Sequence, residues 1–179
     1  MRLPPERIEL DHADKIALKR ATVDDAEMIA RAVSECLEHL HRFMPWARDP
    51  NSCYPAFQRE RLDKLADSWE RGEEFQYVLC PQRDPQTFLA ALGMMTRLGP
   101  GTLELGYWVH VDHEGKGYIR AACKALTEIC LQMDGIEVVY ICCNPENTRS
   151  LAVPLALGFN DEGLGEHPSG ISRIFTRRK

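Results

Sequence analysis

Val109-His110-Val111-Asp112-His113-Glu114-Gly115-Lys116-Gly117-Tyr118-Ile119 is the stretch that decides how this chain folds. Before it, residues 102–109 (TLELGYWV) read as a strand, rich in β-branched and aromatic side chains. After it, Ile119, Ala122, Cys123, Leu126, Ile129, Cys130 and Met133 fall at i, i+3, i+4, i+7 spacing. That is the apolar stripe of a helix over residues 116–133. Residues 136–143 are then almost all β-branched or apolar, as in a strand buried on both faces. Strand, helix and buried strand make a βαβ unit. Glycines flank Lys116 at the helix start, where the backbone can approach a ligand closely. The first N–H groups of a helix lack partners and its dipole is positive there, so the join is suited to an anion such as phosphate or pyrophosphate. The spacing excludes a P-loop: no Ser or Thr follows Lys116, and no glycine stands five residues ahead of it. It also excludes the dinucleotide GxGxxG. Taken alone, the segment reads equally as a flexible turn with a solvated lysine.

Working outward, residues 16–20 form a short strand. Thr22 then caps a helix with Asp24 and Asp25 in its first turn. Met28, Ile29, Ala32, Val33, Cys36, Leu37 and Leu40 carry this helix to about residue 42, and Pro45 ends it. A second helix covers residues 54–71 and stops at Gly72. Strands over 75–80, 88–98 and 102–109 make an antiparallel meander. A helix over 148–157 and strands over 159–162 and 171–177 complete the chain. Residues 2–14 carry no assigned role. No repeat or linker divides the chain, so residues 1–179 are expected to be a single domain of α/β class with a mixed sheet.

Composition narrows the function. The chain has 179 residues, 44% hydrophobic and 27% charged, which fits a globular domain and excludes a coiled coil or a fibre. Lys and Arg total 22 against 27 Asp and Glu, a formal charge of −5. Such a balance argues against nucleic acid as a partner, and the basic run 173–179 reads as solvated surface. No stretch approaches the roughly 18 apolar residues of a spanning helix, so no membrane partner is expected. The seven cysteines are odd in number and form no CxxC, which points to free thiols in a reducing cytoplasm and to no metal site. Residues 2–6 show no signal-peptide pattern.

A second feature lies past the buried strand: Asn144-Pro145-Glu146-Asn147-Thr148-Arg149-Ser150, then Leu157-Gly158-Phe159. Asn144 with Pro145 reads as an N-cap with proline at N1, and Asn147 is the alternative cap. Pro154, inside the helix, has no N–H for the carbonyl of Ser150. Together, Glu104-Leu105-Gly106-Tyr107-Trp108-Val109, the GKG join and the Asn144…Asn147…Ser150…Leu157-Gly158-Phe159 segment resemble the GNAT acetyltransferases. With Arg42-Phe43-Met44-Pro45-Trp46 they are most similar to the RimJ/RimL branch, named for enzymes that acetylate ribosomal-protein N-termini.

The resemblance implies a splayed, mostly antiparallel sheet with helices on its flanks and acetyl-CoA in a cleft between the fourth and fifth expected strands. Cofactor contacts then fall on the pyrophosphate loop Glu114, Gly115, Lys116, Gly117, Tyr118 and Ile119, and on the backbone of Trp108, Val109 and His110. Asn144, Asn147 and Ser150 form the other wall. Two positions depart from the family. Glu114 puts a carboxylate where Gln or Arg is usual, and Pro154 replaces a tyrosine that protonates the leaving thiolate in many relatives. The RimL-like branch offers Ser150 for that task. Glu104, on the strand facing the cleft, is the first candidate base or acceptor anchor, ahead of Glu35 and Glu38. The implied reaction is direct attack of an amine on the acetyl thioester. Its acceptor is a protein or peptide N-terminus, or alternatively a small amine such as an antibiotic, polyamine or amino acid. A non-catalytic acyl-CoA-binding module is the reading from another class. The family also leaves room for a homodimer.

Overall fold

The computed structural model describes residues 3–179. The elements in chain order are β1 (Arg7–Glu9), β2 (Ile16–Arg20), α1 (Ala26–Glu35), α2 (Leu37–Phe43), α3 (Pro55–Glu70), β3 (Glu74–Pro81), β4 (Ala90–Met95), β5 (Thr102–Val109), α4 (Tyr118–Gln132), β6 (Val138–Cys143), α5 (Thr148–Ala156), β7 (Asn160–Gly165) and β8 (Ser172–Arg178). The strands form one mixed sheet in the order β1-β2-β3-β4-β5-β6-β8-β7. Every neighbouring pair is antiparallel except β5 and β6, which run parallel as the βαβ reading requires.

Helices cover both faces. On one face, α4 buries Ala122, Cys123, Leu126 and Cys130 completely against Leu103, Leu105, Val139 and Ile141 of β5 and β6. Truncating Leu126 to Ala would cost about 2–5 kcal/mol. On the other face, Ile29, Val33 and Leu40 of α1 and α2, with Leu62 of α3, pack on Val78 and Ala91.

The seam between β5 and β6 positions the site. Their ladder runs from Thr102↔Val138 to Leu105↔Ile141 and stops, although β5 continues to Val109 and β6 to Cys143. Beyond that point β5 stays paired to β4 through Val109, and β6 to β8 through Cys143. The sheet therefore opens at this one parallel seam.

Several boundaries differ from expectation. The first helix breaks at Cys36, whose φ of −105° and ψ of 7° leave the helical region. The break lets Cys36 Sγ accept the N–H of Val111 at 3.4 Å, which ties α1 to the end of β5. α4 begins at Tyr118 rather than 116 because Gly117 sits at φ +78°, where no right-handed helix can run. β6 is buried on its α4 face by Val139, Ile141 and Cys143, but Tyr140 and Cys142 on the other face are only half-buried. The added strand β1 has charged residues on either side of one apolar Ile8 and leaves no periodic trace in the sequence. With it, the expected fourth and fifth strands become β5 and β6.

Candidate active site

The register of β4 on β5 decides which backbone groups face the open seam. Ala90 pairs with Val109, and the N–H of His110 donates to the carbonyl of Leu89 at 3.0 Å. Backbone groups alternate sides along an antiparallel strand. Trp108 and His110 therefore spend theirs on β4, while those of Tyr107 and Val109 point into the seam where β6 has turned away. This corrects the expectation that the backbone of Trp108, Val109 and His110 serves as a set. His110 is buried outside the cleft lining, its Nε2–H donating to Glu35 at 2.9 Å and its Nδ1 accepting the N–H of Asp112. Trp108 contributes its side chain instead, stacked on Phe88 at 4.7 Å with Trp46 6.1 Å away.

The loop before α4 closes one end of the seam. Gly115 and Gly117 hold φ of +74° and +78°, left-handed geometry that costs a side-chain-bearing residue roughly 1–2 kcal/mol. This winding leaves the backbone N–H groups of residues 115–120 with no protein acceptor among the described residues. They lie at the positive end of the α4 dipole. The first-strand hairpin braces the loop from outside: His12 Nε2 lies 3.0 Å from the carbonyl of Lys116, and Tyr118 Oη donates to Asp14 at 2.7 Å. Burial, then the Asp14 carboxylate, pushes the Tyr118 phenol up to about 12. His12 and Asp14, from the stretch 2–14 to which the sequence assigns no role, thus hold the loop in place.

α5 forms the opposite wall. Asn147 is the true cap, its Oδ1 accepting the N–H of Ser150 at 3.1 Å. Asn144 instead accepts the N–H of Glu146 at 2.8 Å and stands exposed outside the cleft. Ser150 Oγ lies 3.2 Å from both Tyr107 Oη and Cys143 Sγ. The Ser150 carbonyl that Pro154 leaves without an N–H receives the Tyr107 hydroxyl at 3.1 Å. Burial holds the Tyr107 phenol well above its ordinary range, so it remains a donor. Between these walls lies a cleft of about 880 Å³, shared by Tyr107, Val109, the 113–120 loop, Asn147 and Ser150.

With this geometry in view, the comparisons with known proteins are specific. The acetyltransferase (GNAT) domain model matches residues 15–160. This chain belongs to the GNAT acetyltransferases. A relative is the putative ribosomal N-acetyltransferase YdaF of Bacillus subtilis, 28% identical over 157 residues, covering 84% of this chain and 80% of that protein. Among solved structures, the ribosomal-protein-S5-alanine acetyltransferase of Vibrio fischeri superposes with a TM-score of 0.83 at 19% identity, over 96% of each chain. Mycobacterium smegmatis RimJ, in complex with CoA-disulfide, superposes with a TM-score of 0.79 at 21% identity, over 98% of this chain and 88% of that one. The chain is an acetyl-CoA-dependent N-acetyltransferase of this family, and its fold is that of the RimJ-type structures.

In this GNAT acetyltransferase Glu104 lies elsewhere than expected. It pairs with Tyr140 where the β5–β6 ladder is still closed, and it does not line the cleft. Its side chain is buried. Arg97 grips the carboxylate through Nε at 2.6 Å and Nη2 at 2.8 Å, and His167 Nε2 lies 3.1 Å away. The hydrogen bond to Glu104 raises the Arg97 guanidinium further, so the guanidinium stays charged. Glu104, His167 and Cys142 could together offer three metal-ligand atoms, but the guanidinium already occupies the carboxylate. Cys142 is a poor nucleophile: burial, then the Glu104 charge, pushes its thiol up to about 12. All seven cysteines are free thiols. The sequence assigns no cleft role to Tyr107, Arg149 or His39, all of which line the cleft. The alternation of β5 was a signal for Tyr107, since it shares its parity with Val109.

Proposed function

We propose that this acetyltransferase moves acetyl from acetyl-CoA to the α-amino group of a protein or peptide N-terminus, of the kind ribosomal proteins present. The run of six unpartnered N–H groups at residues 115–120, beside an open strand edge, carries the cosubstrate part of this reading. Gly115, Lys116, Gly117, Tyr118 and Ile119 receive the diphosphate, and the free edge of Tyr107 and Val109 pairs with the amide-bearing pantetheine arm as an added strand would. In this reading Val109 N–H polarises the thioester carbonyl and holds the oxyanion that forms on attack. Ser150 Oγ gives its proton to the leaving sulfur and recovers one from solvent. Tyr107 keeps the serine backbone in place.

The acceptor class draws its support from Glu104, the base the sequence suggests, and from the acceptor's own acidity. Glu104 is clamped by Arg97 and cannot reach an amine without breaking a bidentate pair. An α-amino group, with pKa about 7.7–8.0, is roughly 10–17% neutral at pH 7, whereas a lysine amine at about 10.4 is neutral only to about 0.04%. An N-terminus can surrender its proton to water alone. The names of YdaF and of the Vibrio fischeri enzyme point to the same acceptor class. Seven free thiols suit a reducing cytoplasm. The test is incubation with acetyl-CoA and a pool of peptides that differ at their first residue, read by mass spectrometry. Acetylation confined to α-amino groups supports the reading. Acetylation of lysine side chains at comparable rates would refute it.

A further inference from the structure

Glu114 belongs to the loop whose backbone is built for an anion, yet it is itself an anion. Its carboxylate is ion-paired to Arg149 Nη1 on α5, and its other oxygen lies 3.3 Å from His39 Nε2 on α2. All three residues line the cleft. The loop follows β5 and α5 follows β6, so the Glu114–Arg149 pair crosses from one wall to the other. Among the described residues, Arg149 is the single cation that the α5 wall contributes to the cleft lining. Its side chain is largely exposed, so water screens the pair and it adds little to folding stability. An exposed pair of this kind is easily exchanged for another anion.

We propose that Arg149 is a phosphate-binding residue of the cosubstrate site and that Glu114 is its placeholder, giving it up when a phosphate group enters. The guanidinium trades a carboxylate for a phosphate, whose oxygens its planar fork fits equally well. Until then Glu114 keeps a flexible arginine aimed into the cleft. The cost is affinity: the carboxylate competes for Arg149 and repels the incoming diphosphate, so Glu114 sets acetyl-CoA binding weaker than the loop alone would give. The inference rests on the reading that acetyl-CoA occupies this cleft with its diphosphate at residues 115–120.

The experiment titrates the wild-type protein, Glu114→Gln, Arg149→Gln and Arg149→Lys with acetyl-CoA by calorimetry, and with S-acetylpantetheine, which carries no phosphate, by protein NMR. Thermal unfolding of each variant checks that it is folded. Glu114→Gln is expected to bind acetyl-CoA about 3- to 10-fold more tightly and Arg149→Gln about 3- to 10-fold more weakly, with Arg149→Lys between it and wild type. S-acetylpantetheine is expected to bind all four alike. Weaker binding of both ligands by Glu114→Gln would make the pair a brace for the cleft and overturn the proposal. Unchanged acetyl-CoA affinity in Glu114→Gln would overturn it too, while leaving the cosubstrate reading intact. Failure of the wild-type protein to bind acetyl-CoA would instead overturn that reading, and this inference with it.

Discussion

Replacing Tyr107 by Phe removes a single oxygen and tests how the active-site wall is held. Pro154 has no N–H, so the Ser150 carbonyl lacks its helical partner, and the Tyr107 hydroxyl fills that gap at 3.1 Å. Without the hydroxyl, a half-buried carbonyl loses its donor, a loss of about 1–3 kcal/mol. For a chain of this size that lowers Tm by about 2–12 °C. Ser150 Oγ retains Cys143 Sγ at 3.2 Å, so the serine itself should remain ordered. The decisive control is Pro154→Ala, which restores an N–H four residues after Ser150. In that background the helix can satisfy the carbonyl, and Tyr107→Phe should cost less than half as much. Urea denaturation of the four proteins closes a double-mutant cycle, with an expected coupling of about 1 kcal/mol or more. Strict additivity would show that the tyrosine and the proline do not share this carbonyl, and the argument for the wall would fail.

Three further outcomes are expected. Ser150→Ala should lower kcat by about 10²-fold, at the low end for a lost general acid, while acetyl-CoA affinity measured by calorimetry stays within twofold; an unchanged kcat would remove Ser150 from the mechanism. Gly117→Ala should cost roughly 1–2 kcal/mol in urea denaturation and weaken acetyl-CoA binding, because a Cβ there meets only ordinary contacts at 3.8 Å and the left-handed φ is the whole penalty. Gly117→Asn, which tolerates that geometry better, should recover part of both losses. Cys142 should react with iodoacetamide at pH 8 about 10³-fold more slowly than a free thiol, rising about tenfold per pH unit toward its pKa of about 12. The same raised pKa means the folded state keeps a proton that the unfolded chain loses above about pH 8.5, so Cys142 makes stability fall as pH climbs from there toward 12.

The parts of this protein set by local chemistry were legible in its sequence. The stripe of Ile119, Ala122, Cys123, Leu126 and Cys130, the two glycines and the buried strand 136–143 announced the βαβ unit and the helix start that faces the cleft. The missing N–H at Pro154 announced an orphan carbonyl. What failed depended on partners distant in sequence. Alternation separates Trp108 and His110 from Tyr107 and Val109, but which set faces the seam is fixed only by the register of β4 on β5. Glu104 read as facing the cleft because Arg97 and His167, which enclose it, come from other segments. The break at Cys36 answers to Val111, 75 residues away. His12 and Asp14, in a stretch with no periodicity, meet the loop only once β1 has paired.

The central claim is that the N–H groups of residues 115–120 and the free edge of Tyr107 and Val109 receive acetyl-CoA. Amide hydrogen exchange, resolved by residue with and without saturating acetyl-CoA, tests it directly. Slowed exchange concentrated at residues 115–120 and at Tyr107 and Val109, with Trp108 and His110 already slow in both states, is the predicted result. Exchange at residues 115–120 that does not respond to acetyl-CoA, or protection that falls on another part of the sheet, would contradict it.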